Sequence, residues 1–200
     1  MAIRYLAVLL LMGILGSVGP ACLAAEPVKM RPYSGIGVVS LPASLVNKEN
    51  ELPVYLYREP GLSRIGALDG SKLSGNDWIF GARSDSVRLI VMARKGDWLR
   101  VSYDDAGREA WIDPQRRDSF QPWDRFFKSR MSRMLPGLRK QYYQLFQQPE
   151  LNPLVVLTPK QPFRVLRLDN DWAMVVSDQA GVGWLRWRDE DGRLTIGPDL

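Results

Sequence analysis

The chain has 200 residues, 46% of them apolar and 24% charged, with 27 Lys+Arg against 22 Asp+Glu. That composition belongs to a folded chain of one or two domains and argues against wholesale disorder. It contains no histidine and one cysteine, Cys22, which excludes His-based triads, His metal sites, internal disulfides and Cys-x-x-Cys redox pairs.

Residues 1–25 read as a secretory signal peptide. Arg4 gives a positive start, residues 5–15 form an uncharged apolar run, and small residues follow at Ala21, Ala24 and Ala25. The run is too short for a comfortable membrane span. Cleavage after Ala24 or Ala25 is expected, with an uncleaved anchor or a lipidated Cys22 as alternatives. Cleavage removes one arginine and no acid, taking the formal charge from +5 to +4, and it removes the only thiol. The expected location is outside the cytoplasm.

Residues 26–50 form a Pro- and Ser-punctuated N-terminal extension. Its apolar stretch, Ile36-Gly-Val-Val-Ser-Leu41, reads as an added strand or a tether.

The most informative feature lies further on. Residues 89–111 read LIVMARKGDWLRVSYDDAGREAW and residues 163–184 read FRVLRLDNDWAMVVSDQAGVGW. At an offset of 74, Val91, Asp97, Trp98, Val101 and Gly107 meet Val165, Asp171, Trp172, Val175 and Gly181, and one deletion brings Trp111 onto Trp184. Both segments read strand, turn, strand, turn, strand: apolar and polar residues alternate between turn dipeptides such as Gly96-Asp97 and Asn170-Asp171. Upstream, Tyr55-Leu-Tyr-Arg-Glu-Pro60 matches Gln144-Leu-Phe-Gln-Gln-Pro149 at an offset of 89. The two offsets differ by 15, so the first unit holds about 15 extra residues, assigned to residues 70–85 with their Trp78-Ile79-Phe80 centre.

These motifs resemble the bacterial SH3 domain family: a Tyr-rich opening strand ending at Pro60, Gly-Asp-Trp98-Leu-x-Val101, and Gly-Arg-Glu-Ala-Trp111-Ile, with Asn-Asp-Trp172-Ala-x-Val175 and Gly-Val-Gly183-Trp184-Leu in the second unit. The resemblance implies two small SH3-like β-barrels, at residues 51–115 and, shortened, at 143–200. It also points to the bacterial periplasm, where the family usually works.

Between the units, residues 116–142 read as an amphipathic helical linker. Trp123, Phe126, Phe127, Met131, Met134 and Leu135 make an apolar stripe after Pro122, and Pro136-Gly137 stops it. A second stripe, Leu138, Tyr142, Leu145 and Phe146, competes with the strand alignment at 144–151, so 138–147 is left open between helix and strand. Residues 116–140 hold eight basic and two acidic side chains. Their basic face is expected to be solvated, with weak membrane-surface contact as a secondary reading.

Catalytic chemistry is not expected. The carboxylates at Asp104-Asp105, Asp169, Asp171 and residues 189–191 sit in turn sequences, and the 189–191 cluster fails as an EF-hand, reading instead as a hairpin turn between residues 183–188 and 193–196. No metal site, no cofactor and no nucleic-acid partner are called. The tryptophans carry the functional signal, because small barrels cannot hide seven of them. The candidate ligand-binding residues are Tyr55, Tyr57, Trp78, Trp98, Trp111 and Trp187, with the main site on the first unit and Trp187 on an outer hairpin. The expected function is a non-catalytic exported binding module for peptidoglycan or a peptide segment. The alternative is an adaptor or regulator that docks on an envelope protein.

Overall fold

In a computed structural model the chain is described over residues 30–46, 53–70, 73, 76–81, 85–104, 106–114 and 119–199. The leader, its cleavage site and Cys22 lie outside the described residues.

The sequence repeat becomes two antiparallel sheets of seven strands each. The first contains β1 (Gly37–Pro42), β2 (Tyr55–Glu59), β3 (Leu62–Ala67), β4 (Ser86–Lys95), β5 (Trp98–Ser102), β6 (Glu109–Ile112) and β7 (Phe120–Pro122), in the order β3-β2-β6-β5-β4-β1-β7. The second contains β8 (Met131–Met134), β9 (Gln144–Phe146), β10 (Pro153–Val156), β11 (Phe163–Asp169), β12 (Trp172–Ser177), β13 (Gly181–Arg186) and β14 (Ile196–Pro198), in the order β10-β9-β13-β12-β11-β8-β14. Strand for strand, the two orders are the same.

The register carries the repeat down to single residues. Val91 pairs with Val101 and Val165 with Val175, and a register shift follows each at Val91/Ala93 and Val165/Arg167. The offset of 89 holds as well: the Leu68 amide donates to the Val54 carbonyl at 2.8 Å, and the Leu157 amide donates to the Tyr143 carbonyl at 2.7 Å. The β4–β5 and β11–β12 turns place Gly96 and Asn170 at equivalent positions with φ of 60° and 51°. That left-handed backbone favours glycine and tolerates asparagine.

Each sheet wraps its own core. Val39, Leu41, Leu56, Leu89, Val91, Leu99, Val101, Ala110 and Ile112 come from five strands and form one buried cluster. Their counterparts in the second sheet include Leu145, Phe163, Val165, Ala173, Val175 and Leu185. Volumes compensate across the repeat: Leu89 and Leu99 of the first core become Phe163 and Ala173 in the second, a large-small exchange that keeps a core filled.

The units are not separate beads. Val38 and Ile90 point away from the first core and are buried against the second unit's cluster. Both faces of these strands are covered, which is why Leu89, Ile90 and Val91 are all buried and the two-residue alternation disappears there. The filling comes from α1 (Asp77–Phe80) and α2 (Trp123–Lys128). Ile79 and Phe80 from the inserted segment join Trp123, Phe126 and Phe127 in that cluster. Trp123 stacks on Phe127 at 5.1 Å and lies 6.2 Å from Trp187, and its indole N–H donates to the Ser34 carbonyl at 2.6 Å.

The structure resolves two open readings and corrects one expectation. Residues 37–42 of the N-terminal extension are a strand inside the first sheet, between β4 and β7. The linker is helical only over α2; Met131–Met134 is strand β8, with Ser132 and Met134 buried and Met131 and Arg133 turned outward. The apolar spacing from Trp123 to Leu135 fits a helix, but the Ser129 hydroxyl donates to the Phe126 carbonyl and the helix stops there. Residues 138–147 supply both alternatives, a 3-10 turn at Lys140–Tyr143 followed by β9.

Candidate functional site

The six candidate residues divide among three places. Tyr57, Trp98 and Trp111 come together on the outer face of the first sheet. Tyr57 pairs with Trp111 across β2 and β6, and its ring meets Trp98 edge to face at 5.2 Å. Tyr55 lies on the same strand with the Arg64 guanidinium 4.6 Å above its ring, and Arg100 lies 5.9 Å over Trp111. These rings are half-buried or exposed, but part of their stacking surface is covered by the chain's own arginines.

The same constellation recurs in the second unit. Trp184 pairs with Phe146, Phe146 meets Trp172 edge to face at 5.4 Å, and Arg167 and Arg186 lie over Trp184 and Trp172. A cluster built twice, with guanidinium lids supplied from different positions, serves each sheet as an outer seal.

Trp187 is in neither cluster, nor on an outer surface. It is 5% exposed and packs against Trp123 and Phe127, with its indole N–H donating to the Asn170 carbonyl at 2.8 Å. The hairpin turn is present, since Arg188 bridges Leu194 and the Asp189 amide donates to the Arg193 carbonyl at 2.9 Å. Its apolar side faces the shared core instead of water, because α2 lies there.

Trp78 goes to a third place, a cleft of about 610 Å³. One wall is the N-terminal strap, residues 30–33. The others are the inserted segment with Asn76 and Trp78, the β5–β6 turn from Ser102 to Glu109, and Arg193 of the second unit. The volume suits a small ligand or a few residues of an extended one. Tyr33, Trp78 and Tyr103 supply rings, and Met30, Leu73 and Met92 supply apolar wall.

The strap is fixed electrostatically. Asp189 is 4% exposed and receives three donors: the Arg31 guanidinium at 2.6 Å, and the backbone amides of Asp191 at 3.1 Å and Arg193 at 2.8 Å. Arg31 also donates to the Leu194 carbonyl, Arg193 donates to the Arg31 carbonyl, and Tyr33 bridges Arg193. At the opposite wall, burial alone would raise the pKa of Asp104. The Arg108 amide and guanidinium bonds outweigh it and hold that carboxyl below the ordinary range. Among the described residues, no group of three or more His, Cys, Asp or Glu side chains is placed to hold a metal ion.

Sequence reasoning missed Tyr33, Tyr103 and Arg193. Tyr103 does sit within the repeated segment, but Tyr33 and Arg193 reach it only where the strap and the second unit meet the first unit, a juxtaposition that leaves no mark within either repeat.

No family model and no curated protein matches the chain. Among solved structures it has a distant likeness to NlpC2 and NlpC1 of Trichomonas vaginalis, each 10% identical, over 80% and 87% of this chain, with TM-scores of 0.28 and 0.29. The chain spans about half the length of these two solved chains, 48% and 54%. At such scores the likeness carries no weight for fold or function. The class defined by the fold itself is a mostly β protein of two repeated seven-stranded sheets, with a cleft formed by the N-terminal strap and the first unit beside Arg193 of the second.

Proposed function

We propose that this chain is an exported, non-catalytic binding module of the cell envelope, taking an extended peptide or a cell-wall strand in the cleft between its two units. One observation carries the reading: in the cleft, rings and apolar wall from the N-terminal strap and the first unit converge with the Arg193 guanidinium of the second unit. The SH3-like resemblance of the repeat supports a non-catalytic binding role, and the leader-like N-terminus supports export to the periplasm. Of the residues called from sequence, Trp78 is the one this site uses, so the main contact surface shifts from the Tyr57 face to the inserted segment.

The test is co-sedimentation of the protein with purified insoluble peptidoglycan. Trp78→Ala should weaken retention about 30-fold, the equivalent of about 2 kcal/mol for a partly exposed ring at a binding hot spot. Retention unchanged by Trp78→Ala but lost in Tyr57→Ala would move the site to the outer face.

A separate observation favours the alternative, an adaptor. β10 is an edge strand with Leu154, Val155 and Val156 all exposed, and residues 151–158 carry no charge. Such an edge is suited to pairing with a strand of another protein. Pull-down of an envelope protein that Val155→Lys abolishes, with no retention on peptidoglycan, would select this reading.

A further inference from the structure

The charges around the cleft are unequally matched. Arg31 is paired with Asp189 at 2.6 Å. Asp104 is paired with Arg108, and Glu109 with Arg100 at 3.1 Å. Arg193 has no carboxylate partner among the described residues. Its guanidinium lies 4.2 Å above the Tyr33 ring and donates one bond, to the Arg31 carbonyl. A guanidinium has five N–H donors, so most of its donor capacity is still available.

The rest of the lining selects among polymers. A glycan is held largely by hydrogen bonds to planar polar side chains. Here the two carboxylates of the lining already serve arginines and Asn76 supplies its one carboxamide, while Leu73, Met92 and Met30 offer aliphatic and thioether surface. Thioethers adapt to varied apolar side chains, as a peptide reader requires. Trp78 and Tyr103 add flat surface beside them.

We propose that the cleft reads a peptide that sets a carboxylate on Arg193 and an apolar side chain against Trp78 and Met92. The proposal rests on the binding function above and narrows it from peptide or glycan to a carboxylate-bearing peptide. Tyr33 holds the guanidinium plane, and the Arg31–Asp189 pair fixes the strap that carries Tyr33. Arg193 is the specificity-determining residue, since a carboxylate meets it through charge-assisted, two-pronged bonds that a carboxamide cannot make.

The experiment is fluorescence anisotropy on the full chain with a tripeptide pool labelled at its N-terminus and randomised over all residues except Asp and Glu, so that the C-terminus is the only peptide carboxylate. The pool is used in two forms, free carboxylate and C-terminal carboxamide, with chitotetraose as competitor. The expected result is saturable binding of the carboxylate pool, weaker by about tenfold or more for the carboxamide pool. Arg193→Gln should erase the difference between pools and Arg193→Lys should restore part of it. The carboxamide arm needs no variant, so a folding defect in Arg193→Gln leaves the test intact. Equal binding of both pools overturns the carboxylate assignment while the binding function stands. Displacement of the probe by chitotetraose, with no preference between pools, overturns the peptide assignment and leaves a glycan reader. No binding of any probe overturns the proposal and the cleft-binding function together.

Discussion

Replacing Asp189 tests how the strap is held and how the cleft keeps its wall. The carboxylate accepts two backbone amides and one guanidinium while 4% exposed. Hydrogen bonds to a charged group are worth about 1.5–3 kcal/mol each, and breaking a buried ion pair costs about 3–5 kcal/mol. Arg31 keeps 20% exposure, so water recovers part of its solvation. Asp189→Ala is therefore expected to destabilise by about 3 kcal/mol, a fall in Tm of roughly 6–12 °C for a chain of this size. Asp189→Asn keeps an oxygen for the two amides and loses only the charge facing Arg31, so it should cost about half as much. Urea unfolding gives the free energies, and hydrogen exchange locates the effect. The Ser34 amide, bonded to the Gly192 carbonyl, and the Leu194 amide, bonded to the Pro32 carbonyl, should lose protection first. Equal losses for Asn and Ala, or protection unchanged at both amides, would refute the reasoning.

Three further outcomes follow from particular contacts. Trp187→Ala should destabilise by about 3–5 kcal/mol as a buried ring leaves the shared core, and calorimetry should show one transition for the whole chain, since Trp187, Trp123 and Ile90 lie in one cluster. Gly183→Ala should cost about 1–3 kcal/mol, because a Cβ there would stand 2.6 Å from Leu145 Cγ, whereas the equivalent residue of the first unit, Ala110, is already accommodated; denaturant midpoints of the variant against wild type check this. The Tyr142 hydroxyl donates to Glu190. That bond holds Glu190 below the ordinary carboxylate range, while burial first and Glu190 second push Tyr142 up. The stability Glu190 contributes is complete above its unfolded pKa of about 4.3 and is lost as pH falls through the lower folded value; Tyr142's is complete below about pH 10 and is lost as pH rises through its raised folded value. Tyr142→Phe should lower Tm most between those limits and approach wild type in acid, as a Tm series against pH would show.

The β content, the repeat and its two offsets are legible because turns and alternating strands leave local marks: Gly96 and Asn170, Gly107 and Gly181, Trp98 and Trp172 all recur at fixed spacing. What crosses between units leaves none. β1 is legible only as one of two readings, strand or tether, because Val38 and Val39 are both buried on opposite faces and show no alternation that would place the strand in the first sheet. The stripe from Trp123 to Leu135 serves one turn and a half of helix and then a strand, and spacing alone cannot mark the change at Ser129. Trp187 directly follows β13 at the start of the hairpin and reads as exposed until α2 is placed beside it. The inserted segment is visible as an insertion, but its division of labour is tertiary: Ile79 and Phe80 are buried in the shared core, while Trp78 packs on the edge of that core and lines the cleft.

The central claim is that ligand enters the cleft between the units and does not bind on the outer aromatic faces. Fluorine NMR of protein labelled with 5-fluorotryptophan tests it most directly, since each tryptophan reports on one location: Trp78 on the cleft, Trp98, Trp111, Trp172 and Trp184 on the outer clusters, Trp123 and Trp187 on the core. During titration with solubilised peptidoglycan fragments, the Trp78 resonance should shift progressively to saturation while the other six hold their positions. Movement of Trp98 and Trp111 with Trp78 unmoved would contradict the account and return the site to the outer face of the first sheet.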